Sequence, residues 1–280
     1  MEKTLPADQR RAFEMALEIA ATPDEVWRAL TQAEELVRWF PMDARVTPGV
    51  GGTMLWNWGE GQDWESRIDV WEPGRRLRLV QDDARPYDTQ GRPLPAGISE
   101  PARIAMEFTL ETHRGKTRLR LVHSGFGEGS AWDTEIEGIS EGWQAELRSL
   151  RHYLERHRGQ DRYPGRAMLS TSMPREAAWD RLLGPDGFLV TPSNPKEGDA
   201  YTVTTPGGQR FSGTVQLHLP RQTLAGTVAE LDDGWFRVLT WRDATGATGV
   251  WAWVSSYSDQ REEVDRFRRE TQANLERIFG

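Results

Sequence analysis

His123 is the residue whose type and position lend themselves most directly to chemistry. It stands in the run Leu119-Arg120-Leu121-Val122-His123-Ser124-Gly125-Phe126, where strand alternation puts it on the inward face with Leu119 and Leu121. An inward imidazole can orient a ligand or exchange a proton; a hydrogen-bonded structural histidine beside the Gly125 turn is the plainer alternative. Nothing in the spacing gives Ser124 and His123 an acidic third member, so a Ser-His-Asp arrangement is not indicated and no catalytic residue is assigned. His152 and His157 are five apart, off the i, i+4 spacing that puts two ligands on one helix face, so no metal site is expected. Asp133-Thr134-Glu135-Ile136-Glu137 reads as an amphipathic approach to a helix rather than a cation site. Gly49 to Gly52 lacks the Lys-Ser/Thr ending of a phosphate loop. No cofactor is expected.

The aromatic residues carry a second signal. There are thirteen Trp in 280 residues, and Trp39, Trp56, Trp58, Trp64, Phe126, Trp132 and Trp143, with Leu147, are candidates to line a cavity that has His123 near its mouth. For any one of them, ordinary core packing is the alternative. Trp56 and Trp58 share strand parity, so one face of that strand carries both indoles and cannot be a purely solvated face.

The elements that must position these residues follow from period and punctuation. Thr22-Pro23-Asp24-Glu25 is a capped helix start, preceded by a strand over 12–20 and followed by a short helix over 33–40 that stops at Pro41. Alternating segments then predict strands at 53–58, 64–71, 75–81, 104–110 and 119–123. Trp143, Leu147, Leu150 and Leu154 lie four, three and four apart, predicting a helix of about five turns from Ser140. The polar stretch 159–166 reads as a linker. Beyond it, Pro174, Glu176, Trp179 and Leu182 echo Pro23, Glu25, Trp27 and Leu30, a strand and five further strand segments follow, and Leu275-Glu276-Arg277 echoes Leu154-Glu155-Arg156. The second copy is the shorter, and it is expected to have lost about one hairpin and its long loop.

Residues 21–30 (ATPDEVWRAL), Leu36 with Trp39-Phe40, the run 115–126 and Gly142-Trp143 with Leu147, Leu150 and Leu154 together resemble the Hsp90-ATPase-activator-homologue family of the START and polyketide-cyclase-like helix-grip superfamily. The resemblance implies an α+β fold of two tandem helix-grip domains, each a curved antiparallel sheet wrapped around a long C-terminal helix. It assigns 1–158 to a domain with a hydrophobic cavity, 159–166 to a linker and 167–280 to a shortened, divergent domain. The function it implies is binding of a hydrophobic small molecule between sheet and helix of the first domain. A cyclase or aromatase-like enzyme and a chaperone or protein-interaction module are the alternatives.

Composition narrows the field. With 37% hydrophobic and 28% charged residues the chain is globular in character. The net charge of −8, with Arg scattered among acids, argues against a nucleic-acid partner. Having no cysteine removes disulfides and thiolate chemistry. No apolar run long enough for a signal peptide or a membrane span occurs, so a cytoplasmic location without membrane insertion is expected.

Overall fold

The computed structural model describes residues 11–59 and 62–280, so the first ten residues assigned to the first domain lie outside the described residues. The chain forms two compact units, Met1–Gly159 and Gln160–Gly280.

In the first unit, β1 (Phe13–Ile19) leads into α1 (Pro23–Thr31) and α2 (Ala33–Leu36). Thr22 caps α1 through the Glu25 N–H while the Glu25 carboxylate reaches back to the Thr22 N–H, the reciprocal box that the sequence spells. The short helix ends at Leu36, four residues before Phe40. Six further strands follow: β2 (Asp43–Val46), β3 (Thr53–Asn57), β4 (Asp63–Glu72), β5 (Arg76–Ala84), β6 (Ala102–His113) and β7 (Lys116–Ser124). They form one antiparallel sheet in the order β1-β7-β6-β5-β4-β3-β2, with register shifts at Ile68/Val70 and Gln81/Ala84 that bend it. The unit closes with α3 (Ser130–Arg156).

The helix α3 begins ten residues before the predicted start. Its apolar stripe runs back from Leu154 through Leu150, Leu147 and Trp143 to Ile139, Ile136 and Trp132, at spacings of three or four. The acidic segment 133–137 thus spans its first and second turns. Acidic residues between the stripe positions concealed the period.

In the second unit, β8 (Tyr163–Thr171), α4 (Arg175–Leu182), β9 (Leu189–Thr191), β10 (Ala200–Thr204), β11 (Arg210–Leu219), β12 (Thr223–Val228), β13 (Gly234–Arg242), β14 (Thr248–Ser256) and α5 (Arg261–Phe279) follow in turn. The order β8-β14-β13-β12-β11-β10-β9 reproduces that of the first sheet strand for strand. No hairpin has been lost. The shortening lies in the connection after β12 and in α5, which has 19 residues against 27 in α3. Two strands escaped the sequence reading, β2 and β9, both short edge strands with too few residues to show alternation. Residues 163–166, expected as linker, are the start of β8, paired to β14 from Tyr163↔Ser256 onward; Pro164 and Gly165 masked a strand that lies beside its neighbour on one side.

α5 packs along β8 and β14, and a single close contact sets the distance. A Cβ on Gly165 would sit 2.7 Å from Val264 Cγ1 and 2.9 Å from its carbonyl oxygen. Gly165→Ala therefore pushes helix from sheet and is expected to destabilise the second unit by about 1–3 kcal/mol, read as a lower denaturant midpoint with unchanged slope.

Candidate functional site

The inner face of the first sheet carries a continuous run of rings. Phe40, just past α2, is its hub, with ring centroids 4.9 Å from Trp39, 4.9 Å from Trp56, 5.1 Å from Trp58 and 5.1 Å from Trp143. Trp56 on β3 reaches Trp64 on β4 at 6.4 Å, and Trp64 reaches His123 on β7 at 6.5 Å. His123 meets Phe126 at 4.7 Å, and Phe126 meets Trp132 at 6.1 Å. Leu147 is buried one turn beyond Trp143. Eight of the nine residues singled out from the sequence are thus joined by ring contacts into one array, and Leu147 is buried on α3.

Their surroundings differ. The Trp39 indole N–H donates to the Ala29 carbonyl at 2.8 Å, tying the segment after α2 to α1, and the Trp39 backbone carbonyl accepts from the Ser149 hydroxyl at 2.8 Å, tying it to α3. Trp132 donates to the Glu100 carbonyl at 3.0 Å, tying α3 to the loop 85–101. That loop is held a second time where the Tyr87 N–H donates to Glu135 at 3.1 Å. Gly125 makes the junction between β7 and this end of the helix: its φ is +84°, and a Cβ there would sit 2.3 Å from the Arg103 carbonyl oxygen.

Among the buried side-chain atoms without a hydrogen-bond partner are two of the array, Trp56 Nε1 and His123 Nδ1. Their residues are 2% and 1% exposed. Burial lowers the His123 pKa to about 3, so the ring is neutral at physiological pH. Burial also pushes Tyr87, which packs 5.9 Å from Trp64, up to about 12.

Around Phe126 and Trp132, the apolar residues Phe13, Trp64, Ile136 and Ile139 remain only partly buried. A separate groove of about 390 Å³ is lined by Thr53, Glu65, Arg67 and Val80, which strand parity turns away from the array, together with Ser66, Ala84 and Tyr87. Four rings of the array were not singled out from the sequence: Phe13, Phe40, Tyr87 and Phe108. Phe13 and Phe108 share parity with buried neighbours on their strands, a signal that was available, whereas Phe40 and Tyr87 lie in irregular segments with no period to read.

His152 and His157 have ring centroids 5.0 Å apart. The helical spacing rule does not apply to them, because α3 ends at Arg156 and His157 leaves the helix at φ −130°.

Residues 20–155 match the family model for Activator of Hsp90 ATPase homolog 1-like protein. No curated protein matches the chain. Among solved structures, a protein from Mesorhizobium loti is 23% identical, covering 53% of this chain and 99% of its own at a TM-score of 0.43. The Aha1 dimer from Colwellia psychrerythraea is 21% identical, with coverage of 53% and 99% and a TM-score of 0.42. The di-domain ARO/CYC BexL from the BE-7585A biosynthetic pathway is 14% identical, with coverage of 96% of each chain and a TM-score of 0.42. No helix among the described residues is long and apolar enough to cross a membrane.

The neutral His123 has a consequence in acid. Its folded pKa of about 3 lies below the value near 6.5 of an exposed histidine, so the unfolded chain takes up a proton that the folded one refuses. The stability from a neutral His123 is complete above about pH 6.5 and is lost as pH falls toward 3, at up to about 1.4 kcal/mol per pH unit. In urea unfolding at pH 7 and pH 4.5, His123→Leu is expected to lose less stability on acidification than the wild type. Equal losses would show that His123 is protonated in the folded state.

Proposed function

We propose, from the premise that the first unit is an Activator of Hsp90 ATPase homolog 1-like domain, that it binds an apolar, ring-bearing small molecule between the inner face of its sheet and α3. The observation that carries this reading is the set of partly buried apolar side chains, Phe13, Trp64, Ile136 and Ile139, facing a wall of fully buried rings. Partly covered aromatic surface suits a ligand that completes the packing. The second unit packs Phe188, Phe211, Phe236 and Phe267 against one another at 5.8–6.3 Å, with Tyr163, Leu169 and Phe279 partly buried around them.

Tyr87 and His123 both approach Trp64, and a cyclase-like enzyme would use such groups for proton transfer. General acid–base catalysis works best with pKa values near the operating pH, and these two lie at about 12 and about 3. Both therefore act as neutral hydrogen-bonding groups, which favours binding over chemistry. A docking module is favoured less, since the large apolar residues exposed among the described residues, Met42, Val50, Ile98 and Leu189, are scattered through separate segments.

Titrating the protein with flavonoids, sterols and fatty acids should give saturable quenching of Trp fluorescence for at least one class. Trp143→Ala, shown by circular dichroism to remain folded, should weaken that binding at least tenfold. A folded wild type whose fluorescence ignores every compound would refute the reading.

A further inference from the structure

The first unit carries a second chemical feature, apart from the aromatic array, at the C-terminal end of α3. His152 lies in the last turns of the helix, and His157 is the residue at which the helix ends. Both are buried, at 8% and 5% exposure. Their ring centroids are 5.0 Å apart, with the ring planes inclined at 60°. On a continuous helix, residues five apart point about 140° away from one another; the break at His157 brings the second ring back beside the first.

Backbone contacts hold it there. The His157 N–H donates to the Tyr153 carbonyl at 2.8 Å. The Gly159 N–H donates to the Tyr153 hydroxyl at 3.0 Å, and the Arg158 guanidinium donates to the Leu154 carbonyl at 3.1 and 3.2 Å. Arg158 also pairs with Glu25, so its charge is answered by an acid. The residues from His157 to Gly159 are thus pinned to the last turn of α3, which sets the two rings in place before any ligand arrives.

The spacing of the rings has a chemical meaning. A divalent transition ion sits about 2.0–2.1 Å from each imidazole nitrogen that binds it, which at a tetrahedral angle leaves the ring centres about 5 Å apart. The position adds to this, because the negative end of the helix dipole favours a cation. Donor chemistry narrows the ion. The chain has no cysteine, so an ion that selects thiolate gains nothing here. Of the other histidines in this unit, His113 pairs with Glu18 and His123 belongs to the array. The remaining coordination positions therefore fall to oxygen, from water or a carboxylate. Two imidazoles completed by oxygen suit divalent zinc, cobalt or nickel, whereas calcium and magnesium take oxygen ligands.

We propose that His152 and His157 form a two-histidine site for a divalent transition ion of the zinc class, which clamps the end of α3. No residue is shared with the array, so this site stands or falls independently of ligand binding there.

The test uses the full chain, stripped with a chelator and titrated with zinc chloride by isothermal calorimetry at pH 7.5. Saturable binding of one ion per chain is expected, and excess calcium chloride should not displace it. His152→Gln and His157→Gln should each weaken zinc binding at least tenfold, since each removes one of two nitrogen ligands, whereas His113→Gln should leave it unchanged. Zinc should raise the thermal midpoint of the wild type more than that of either ligand variant. X-ray absorption at the zinc edge of the loaded wild type counts imidazole ligands without any variant, and two are expected. Absence of saturable zinc binding, fewer than two imidazoles on the bound ion, or equal affinity in the wild type and both ligand variants would overturn the assignment.

Discussion

Each unit must cover the apolar face of a seven-stranded sheet with one long helix and a shorter one, and the structure turns on how well the long helix fits. A sheet of that width exposes more apolar surface than one helix can bury, so side chains, loops or a ligand must supply the rest. The second unit meets the demand with close packing. Gly165 lets α5 settle onto β8, and four phenylalanines fill the interior. The first unit meets it with indoles, a longer helix and the loop 85–101, and its coverage is uneven along α3.

That unevenness has a local cause. The C-terminal half of α3 is fixed by hydrogen bonds to elements far away in sequence: Ser149 to the Trp39 carbonyl at 2.8 Å, and the Tyr153 hydroxyl to Glu35 at 2.6 Å. Glu155 accepts from the Ala20 N–H at 2.8 Å. The N-terminal half follows Gly125, Gly127 and Gly129, and its ties run to the loop 85–101 through Trp132 and Glu135 and to Arg11, just before β1, through Asp133. The partly buried apolar residues lie beside this second half.

Much of this was legible in the sequence. The capping box at Thr22, the parity of His123 with Leu119 and Leu121, and the shared face of Trp56 and Trp58 are local rules, and local rules survive folding. The places where reading failed share a different physics. The start of α3 was hidden by acids between its stripe positions, and β8 by a Pro-Gly pair that reads as a turn. Strand β9 is too short to alternate. The equal strand count of the two units could not be read from length, because the difference resides in a loop and a helix. The unpartnered atoms of Trp56 and His123 are a property of three-dimensional neighbours that no spacing encodes.

The repeated architecture sharpens the meaning of those two atoms. At the corresponding end of the last strand in the second unit, the inward position is Ser256, whose hydroxyl lies 3.2–3.3 Å from the side chain and carbonyl of Ser258. Its strand partner is Tyr163, whose hydroxyl reaches Asp265 at 3.2 Å. In the first unit the equivalent pair is His123 and Phe13, an imidazole with an unpartnered nitrogen beside a ring that can bond nothing. Burying a polar atom without a partner costs about 1–3 kcal/mol, and the same sheet order in the second unit shows that the topology does not impose this cost. At this position of the sheet the cost falls on the first unit, at the edge of its partly covered aromatic surface.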